Sequence, residues 1–278
     1  MVARNELSLT NTVRRRSRSL GIESVEAYVD AILGSTSKRS STGSRLGSRI
    51  GDGNGSGVDA DERRRLIDAV TVGETSFFRT PTHFEWFADV FLPNIKRASR
   101  GEAASAPIRV WSAACSTGAE PYTLAMLAAS KMPSWSDSRL EVIASDLSSS
   151  AIEACQRAEY GPRLVAGVPA ALQRRYLEAV PGTDRMRVVR TIRQRVQFVQ
   201  HNLMHPVSRS PLASFCPFDC VFLRNVLIYF DAASKMAVLR HLAAALKPGG
   251  YLVVGPSEGL FGLDHGFEKR STFLYQKP

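Results

Sequence analysis

Residues 108–130 of the chain, IRVWSAACSTGAEPYTLAMLAAS, decide the fold. Their first part is mostly apolar and predicts a buried strand at Ile108–Ala114. Their last part predicts a helix at Glu120–Ser130, with Pro121 in its first turn, where a backbone N–H is not needed. Small residues join the two segments. A buried strand that leads through such a loop into a helix is typical of a βαβ unit, in which successive strands run parallel.

The same alternation of strands and helices continues to the end of the chain. It predicts strands at Leu140–Ser145, Val196–Val199, Asp219–Leu223 and Tyr251–Val254, and helices at Ser148–Ala158 and Ala233–Leu246. A Lys-Pro-Gly-Gly turn is expected between the last helix and the last strand. The fold class is therefore α/β, with a mainly parallel, doubly wound sheet. Residues 160–195 interrupt this rhythm and predict an inserted subdomain with an antiparallel strand at Met186–Ile192.

The first 72 residues contain two segments that predict helices. Apolar residues at helical spacing between Ile22 and Leu33 indicate a helix, with Ser24 as its cap and Gly34 as its end. Residues 35–58 contain six Gly and seven Ser, which predicts a disordered linker. A second helix, Arg63–Val70, is expected after a cap at Asp59. The arginine-rich stretch 14–18 is expected to be a solvated face or a flexible arm.

Composition excludes several classes of protein. The 278 residues are 44% apolar and include 20 Gly and 14 Pro, unlike a disordered or a collagen-like chain. No apolar run approaches the ~18 residues that span a bilayer, and the first ten residues lack the apolar core of a secretory signal. We therefore expect a cytosolic protein without membrane insertion. Four scattered cysteines, at 115, 155, 216 and 220, predict buried free thiols.

The formal charge of +10 is concentrated in two patches. Residues 1–50 carry a balance of +5 and residues 155–200 a balance of +6, so the remainder is nearly neutral. This distribution favours a docking surface over a uniform basic coat. Either an acidic protein or a phosphate backbone is a possible partner at this point.

Residues that follow the predicted strands indicate the ligand, because open parallel sheets bind ligands beyond the carboxyl ends of their strands. The loop after the first strand, 114–118, has one glycine, which disfavours a dinucleotide. Asp146, after the second strand, is typical of binding to ribose hydroxyls, although it could instead cap the following helix. Asn202-Leu203 and Arg224-Asn225 follow the next two strands. A nucleoside without a pyrophosphate points to S-adenosylmethionine.

Several ordered motifs resemble those of the CheR family of chemoreceptor glutamate methyltransferases, over roughly residues 20–277. The motifs are Glu74-Thr75-Ser76-Phe77-Phe78-Arg79, Val110 through Tyr122, Ala144-Ser145-Asp146, Arg224 through Asp231, Leu246 through Gly250, and Ser257-Glu258. The resemblance implies a Rossmann-like S-adenosylmethionine-dependent methyltransferase domain at 73–278, with an antiparallel β-subdomain inserted at about 160–195. It also implies a small helical domain at 1–72.

The resemblance further implies roles for individual residues. Its cofactor contacts fall on Thr75, Arg79, Ala114, Glu120, Asp146, Asn202, Leu203, Arg224 and Asn225. It places Arg79 and Tyr229 beside the transferred methyl group as the catalytic pair. The implied reaction converts glutamate side chains of a chemoreceptor's acidic cytoplasmic helical bundle to methyl esters, with S-adenosylhomocysteine as the second product. A monomer that binds neither nucleic acid nor metal is expected, and both phenylalanines at 77 and 78 are expected to pack in the core.

The chain departs from the family pattern at three places. Gly73 stands where the family usually has Asn, Ala119 where it usually has Glu, and Pro256 where it usually has His. Gly73 removes one expected hydrogen bond to the cofactor, worth about 0.5–1.5 kcal/mol. These departures leave room for a divergent member that acts on another protein.

Two alternatives stay open at this point. The basic charge favours a nucleic-acid methyltransferase, but Arg224-Asn225-Val226-Leu227 replaces the Pro-Pro-aromatic segment that base-amine chemistry uses. A non-catalytic adaptor that binds S-adenosylmethionine and signals is the other. His201 and His205 superficially resemble a metal pair, but no Glu lies between them as a zinc protease would need.

Overall fold

The computed structural model of the protein describes residues 2–33, 57–71, 73–98, 107–132 and 140–278. The chain divides into two compact units, Met1–Val72 and Gly73–Pro278. Most of the predicted linker, residues 35–56, lies outside the described residues, and the other two residues of that stretch open a helix. Among the helices that are described, none is both long and apolar enough to cross a bilayer.

The N-terminal unit contains three described helices: α1 (Val2–Ser19), α2 (Val25–Leu33) and α3 (Gly57–Val70). The arginine-rich stretch 14–18 is part of α1, so the alternative of a flexible arm was wrong. Helix α2 begins at Val25, and Ser24 is its cap as predicted, because the Ser24 hydroxyl accepts a hydrogen bond from Ala27 N at 3.2 Å. Helix α3 begins at Gly57, ahead of the cap predicted at Asp59.

A buried carboxylate ties the three helices together. Glu62 of α3 is 4% exposed. It accepts hydrogen bonds from Arg16 Nε of α1 at 2.7 Å and from the Tyr28 hydroxyl of α2 at 2.8 Å. The hydrogen bond from Arg16 lowers the pKa of Glu62. Arg16 therefore belongs to the internal structure of this unit rather than to a solvated face.

The C-terminal unit is built on a seven-stranded sheet in the order β6-β2-β1-β7-β8-β10-β9. Its strands are β1 (Ile108–Ala113), β2 (Leu140–Asp146), β6 (Val196–Gln200), β7 (Phe218–Leu223), β8 (Leu246–Val254), β9 (Glu268–Lys269) and β10 (Leu274–Gln276). The first five pair in parallel, as predicted, and the last two pair antiparallel to their neighbours. Strand β8 already begins at Leu246, because the predicted Lys-Pro-Gly-Gly turn lies inside the strand, where the pairing register with β7 shifts.

Helices cover both faces of this sheet. They are α4 (Pro81–Trp86), a π-helical turn (Phe87–Phe91), α5 (Leu92–Ala98), α6 (Ala119–Lys131), α7 (Ser149–Arg157) and α11 (Ala232–Ala245). Successive residues of β1 point to opposite faces: Val110 packs in the core that includes Phe222, and Trp111 in the core that includes Leu239 of α11. Because both faces are covered, the central strands β1 and β7 bury consecutive residues over most of their length rather than every second residue.

The inserted subdomain lies between α7 and β6 and contains a second, three-stranded sheet. Its elements are β3 (Glu159–Tyr160), α8 (Pro162–Val165), α9 (Ala170–Tyr176), β4 (Leu177–Ala179), β5 (Met186–Val188) and α10 (Arg190–Arg193). The strands are antiparallel in the order β3-β5-β4. The strand predicted at 186–192 was too long: it ends at Val188, since Val189 begins a helical turn instead.

Candidate functional site

Residues predicted to bind a cofactor gather at one edge of the large sheet. Strands β6, β2, β1 and β7 are neighbours and run parallel, so their carboxyl ends lie side by side. Asp146 is the last residue of β2, and the segments that follow these strand ends hold Ala114, Glu120, Asn202, Leu203, Arg224 and Asn225. The strand order therefore brings together residues that the sequence separates by more than a hundred positions.

The loop between β1 and α6 has a left-handed backbone at alternate residues. The φ angles are 58° at Ala114, 52° at Ser116 and 93° at Gly118. Residues with a side chain rarely adopt such angles, and non-glycine residues that do so concentrate at functional sites. A Cβ at Gly118 would lie 2.9 Å from the Tyr160 hydroxyl and 3.0 Å from Cys155 Sγ, so only glycine fits there. The loop thus has the backbone of a glycine-rich turn although it contains one glycine.

Asp146 holds this loop against the next strand. One carboxylate oxygen accepts from Ser116 N at 2.8 Å, and the other from Ser148 N at 3.0 Å. The alternative that Asp146 caps helix α7 was wrong, because Ser148 is the cap and accepts from Ala151 N at 3.0 Å. Asp146 therefore fixes the shape of the loop, and its binding to a ribose stays a prediction.

The two thiols nearest this loop are buried and unoxidised. Cys115 and Cys155 face each other with their sulfur atoms 3.9 Å apart, and Cys155 Sγ donates to Ser116 O at 3.1 Å. The contact with Cys155, together with burial, raises the pKa of the Cys115 thiol well above its usual value. Cys220 is also buried and Cys216 is half-buried, so the prediction of buried free thiols holds fully for three of the four cysteines.

Glu120 and Arg224, two of the predicted cofactor residues, form a buried ion pair. Arg224 Nη1 donates to Glu120 Oε2 at 2.8 Å, and the Ser112 hydroxyl donates to Glu120 Oε1 at 2.7 Å. Both charged side chains are buried, and the Arg224 guanidinium also stacks on Phe84 at 5.1 Å. Burial raises the pKa of Glu120, and the charge of Arg224 opposes that rise. Each of these two predicted cofactor residues thus has the other as its partner.

The segment that carries Thr75 and Arg79 is fastened to this ion pair. Arg224 Nη2 donates to Arg79 O, and Phe78 N donates to Thr123 Oγ1 of α6 at 3.3 Å. Phe78 and Thr80 have φ angles of 54° and 62°, which indicates a strained segment. Arg79 Nη1 donates to Glu74 O at 2.9 Å, and the Arg79 side chain is half-buried. Thr75 is half-buried as well.

The two aromatic rings before Arg79 pack as predicted. Phe77 is 2% exposed and meets Tyr160 edge-on, with the ring centres 4.9 Å apart. Phe78 is partly buried against the same core and lies 5.8 Å from Phe84. These contacts fix the segment that carries Arg79 to the hydrophobic core.

Beyond β7 the chain makes a tight turn that leads to Tyr229. Asn225 has a φ of 60°, and residues Leu227–Tyr229 form a short 3₁₀ helix that starts with Tyr229 N donating to Val226 O at 3.1 Å. The Tyr229 side chain is 49% exposed. Its phenol is therefore accessible from solution, unlike the buried Arg224 next to the turn.

Asn202 and Leu203 shape the loop beyond β6. Asn202 Oδ1 accepts from Met204 N at 2.9 Å, which closes a local turn. Leu203 is 8% exposed, and its carbonyl oxygen lies 3.1 Å from His241 Nδ1.

His201 packs edge-on against Trp111, and burial lowers its pKa to about 4. In the described parts of the chain, no three His, Cys, Asp or Glu side chains form a group that could hold a metal ion.

Comparison with known proteins identifies the family. Residues 73–275 match the family model described as "CheR methyltransferase, SAM binding domain". The chain belongs to this family. It is 38% identical to the chemotaxis protein methyltransferase Cher2 of Pseudomonas putida over 73% of this chain and 72% of that protein. It is 39% identical to chemotaxis protein methyltransferase 1 of Pseudomonas aeruginosa over 73% of this chain and 72% of that protein. It is 38% identical to chemotaxis protein methyltransferase 1 of Vibrio cholerae over 76% of this chain and 74% of that protein.

Membership in the CheR family makes this chain a methyltransferase that uses S-adenosylmethionine. The residues at the carboxyl edge fit that cofactor: a loop of small residues, the N-terminus of the 13-residue helix α6 and a carboxylate at Asp146. Small side chains let a ligand approach the backbone, and the first N–H groups of a helix bind carboxylates and other anions.

Sequence reasoning missed two features of this CheR site. Ser112, inside strand β1, supports Glu120, and nothing in an apolar strand pattern distinguishes such a serine. Glu258 was only part of a family motif, yet its carboxylate lies directly under the Asn225 turn. Contacts of this kind depend on which strands are neighbours.

Proposed function

We propose that the chain is a protein-glutamate O-methyltransferase that modifies the cytoplasmic domain of a chemoreceptor. It transfers a methyl group from S-adenosylmethionine to a glutamate carboxylate, which gives a methyl ester and S-adenosylhomocysteine. The observation that carries the proposal is the family match of residues 73–275. The curated relatives, which are named chemotaxis protein methyltransferases, support the same pathway.

Methyl transfer to a carboxylate needs orientation more than proton transfer. S-adenosylmethionine supplies a methyl group on a positively charged sulfur, and the acceptor oxygen must approach it opposite that sulfur. A glutamate with a reference pKa of about 4.3 is already ionised at neutral pH, so the chain needs no general base. The work left to the protein is to hold the two reactants in line, which supplies much of the rate enhancement in such reactions.

Arg79 and Tyr229 are the residues that we assign to the acceptor. Both have accessible side chains, whereas Arg224 is buried and already bonded to Glu120 and to Arg79 O. The guanidinium of Arg79 can bind a carboxylate through its remaining N–H groups, and the Tyr229 hydroxyl can donate one further hydrogen bond. Accessibility supports contact with a large substrate, since the acceptor glutamate is carried by a folded partner.

The basic patches support an acidic partner. Within the inserted subdomain, exposed arginines include Arg163, Arg174, Arg175, Arg185 and Arg190. A positive surface beside the site attracts an acidic helical bundle over distances of about a Debye length, near 10 Å at 0.1 M salt. The patch therefore accelerates association with the receptor, while methyl transfer takes place at the carboxyl edge of the large sheet.

The test is transfer of a radiolabelled methyl group to candidate receptors, with nucleic acid offered in parallel. We expect base-labile label on the receptor that is lost when its acceptor glutamates are changed to alanine. Label on nucleic acid would favour the competing methyltransferase activity. Binding of S-adenosylhomocysteine without any transfer would favour the non-catalytic adaptor, and base-labile label on a different protein would favour a divergent acceptor.

A further inference from the structure

The buried carboxylate of Glu258 joins the ends of two neighbouring strands. Glu258 is 4% exposed and lies just beyond β8. Its Oε1 accepts from Val226 N at 2.6 Å, and its Oε2 accepts from Asn225 N at 2.5 Å and from Gly255 N at 2.9 Å. One carboxylate thus receives three backbone N–H groups, two of them from the turn that follows β7. Charged acceptors make hydrogen bonds roughly twice as strong as neutral ones.

The backbone around Glu258 is shaped to accept this carboxylate. A Cβ at Gly255 would lie 2.4 Å from Glu258 Oε2 and 3.1 Å from Asn225 N, so a side chain at that position would displace the carboxylate. Glu258 N donates to Gly255 O at 3.0 Å, which turns the chain back towards β7. Asn225, on the other side of the contact, has the left-handed φ of 60° that an asparagine adopts at a cost.

The turn held by Glu258 leads directly to Tyr229. Val226, whose N–H binds Glu258, uses its carbonyl oxygen to accept from Tyr229 N at 3.1 Å. The position of the Tyr229 main chain, from which the phenol projects, therefore depends on residues 225–226. Errors of about 1 Å in placing a reacting group can lower a rate by about a hundredfold.

We propose that Glu258 is a positioning residue for methyl transfer, which acts by fixing the Asn225-Val226 turn and through it the Tyr229 hydroxyl. This inference rests on the proposed function, because it assigns Tyr229 to the acceptor carboxylate. Among the described residues, the hydrogen bonds that the Glu258 carboxylate accepts all come from backbone N–H groups, so Glu258 is not a catalytic residue.

The variant Glu258→Gln tests the proposal, because the amide keeps the size of the side chain but turns one acceptor into a donor that faces an N–H group. We expect kcat for receptor methylation to fall at least tenfold, with KM for the receptor within threefold of wild type. In a Tyr229→Phe background, Glu258→Gln should lower kcat less than threefold further. All assays are run well below the unfolding temperature of each variant.

Asp219→Asn is the matched control. Asp219 lies at the opposite end of β7, and its carboxylate accepts from Arg109 N at 2.8 Å and from Lys247 Nζ at 2.7 Å. It too joins neighbouring strands, so its loss should lower stability but leave kcat within twofold. If Glu258→Gln does not fold, Gly255→Ala replaces it in the same cycle, because the added Cβ displaces the carboxylate without removing it.

The outcomes separate the two proposals. Equal losses of kcat in the wild-type and Tyr229→Phe backgrounds would overturn the role of Glu258, and so would a loss matched by Asp219→Asn. Both results would leave the proposed function standing, since wild type would still methylate the receptor. A wild-type chain that transfers no methyl group to any receptor would overturn both proposals.

Discussion

Arg224 and Glu120, 104 positions apart in the chain, form a buried ion pair with Nη1 and Oε2 2.8 Å apart. The side chains are only 2% and 11% exposed. The same guanidinium donates to Arg79 O, so one side chain links the end of β7, the start of α6 and the segment that carries Arg79. A planar group with several fixed N–H donors can make such a link, whereas an ammonium cannot reproduce its geometry.

Arg224→Lys should therefore destabilise the protein although it keeps the charge. We expect the free energy of unfolding in urea to fall by about 3 kcal/mol, because the Glu120 carboxylate loses a well-placed buried partner. Arg270→Lys is the control: Arg270 pairs with Glu268 at 2.7 Å, but both side chains are about half exposed. Exposed pairs contribute under about 1 kcal/mol. Equal losses from the two substitutions would contradict the importance of the buried geometry.

Arg79→Ala should lower receptor methylation sharply. We expect kcat/KM to fall about a hundredfold, because the acceptor carboxylate loses the guanidinium that we assign to its orientation. The unfolding temperature should change little, since the Arg79 side chain is half-buried and its main-chain oxygen still accepts from Arg224. Initial rates with radiolabelled cofactor measure the effect. Turnover near that of wild type would refute the assignment.

Gly73→Asn should strengthen cofactor binding. Among the described residues, the atom nearest to a Cβ at Gly73 would be Ser116 Oγ, at 3.9 Å, so the position has room for a side chain. The family's usual asparagine would restore one hydrogen bond, worth about 0.5–1.5 kcal/mol, or a roughly two- to tenfold lower Kd for S-adenosylhomocysteine by calorimetry. Gly73→Ala adds the Cβ without the amide and should leave the Kd unchanged. Identical values for the two variants would count against the expected contact.

Reversal of charge in the inserted subdomain should weaken the encounter with the receptor. For the double variant Arg163→Glu, Arg174→Glu we expect KM to rise about tenfold at low salt, with kcat unchanged, because both side chains are exposed and contribute to steering. The difference should shrink at 0.5 M salt, where charges are screened. Arg240→Glu, on exposed surface of α11, is the control. An effect that does not depend on salt would argue against steering.

Acid should destabilise the C-terminal unit through buried histidines. His83 stacks on Phe273, with ring centres 4.3 Å apart, and burial, followed by the charge of Arg224, lowers its pKa from 6.5 to about 4. The unfolded chain therefore takes up the proton first as pH falls. The stabilisation is complete above about pH 6.5 and is lost towards pH 4, at up to about 1.4 kcal/mol per pH unit for each such histidine.

His83→Phe should reduce this pH dependence while preserving the ring stack. Urea unfolding at pH 7.5, 6 and 5 measures the slope of stability against pH, which we expect to fall but not to vanish, because burial also lowers the pKa of His201 to about 4. A slope that His83→Phe does not alter would show that the acid response arises elsewhere.

Local sequence signals predicted the elements of the large sheet well. The strands at 108, 140, 196 and 218 begin within one residue of their predicted positions, and the cap at Ser24 was predicted from its side chain. The errors concern backbone features, such as bulges and strand ends, that side-chain patterns do not indicate. The bulge inside β8 and the early end of β5 at Val188 are examples, since both depend on which backbone groups of the neighbouring strand are in register for hydrogen bonding.

The sequence by itself determined the α/β class, the order of the elements and the family, because burial patterns and motifs are properties of neighbouring residues. Only the tertiary structure decided that Arg224 binds Glu120, that Asp146 holds Ser116 N, and that Glu258 holds the turn before Tyr229. Such contacts depend on strand order and register, which place distant residues within hydrogen-bonding distance. A pattern with a period of two residues specifies which face a side chain occupies, but not which strand lies next to it.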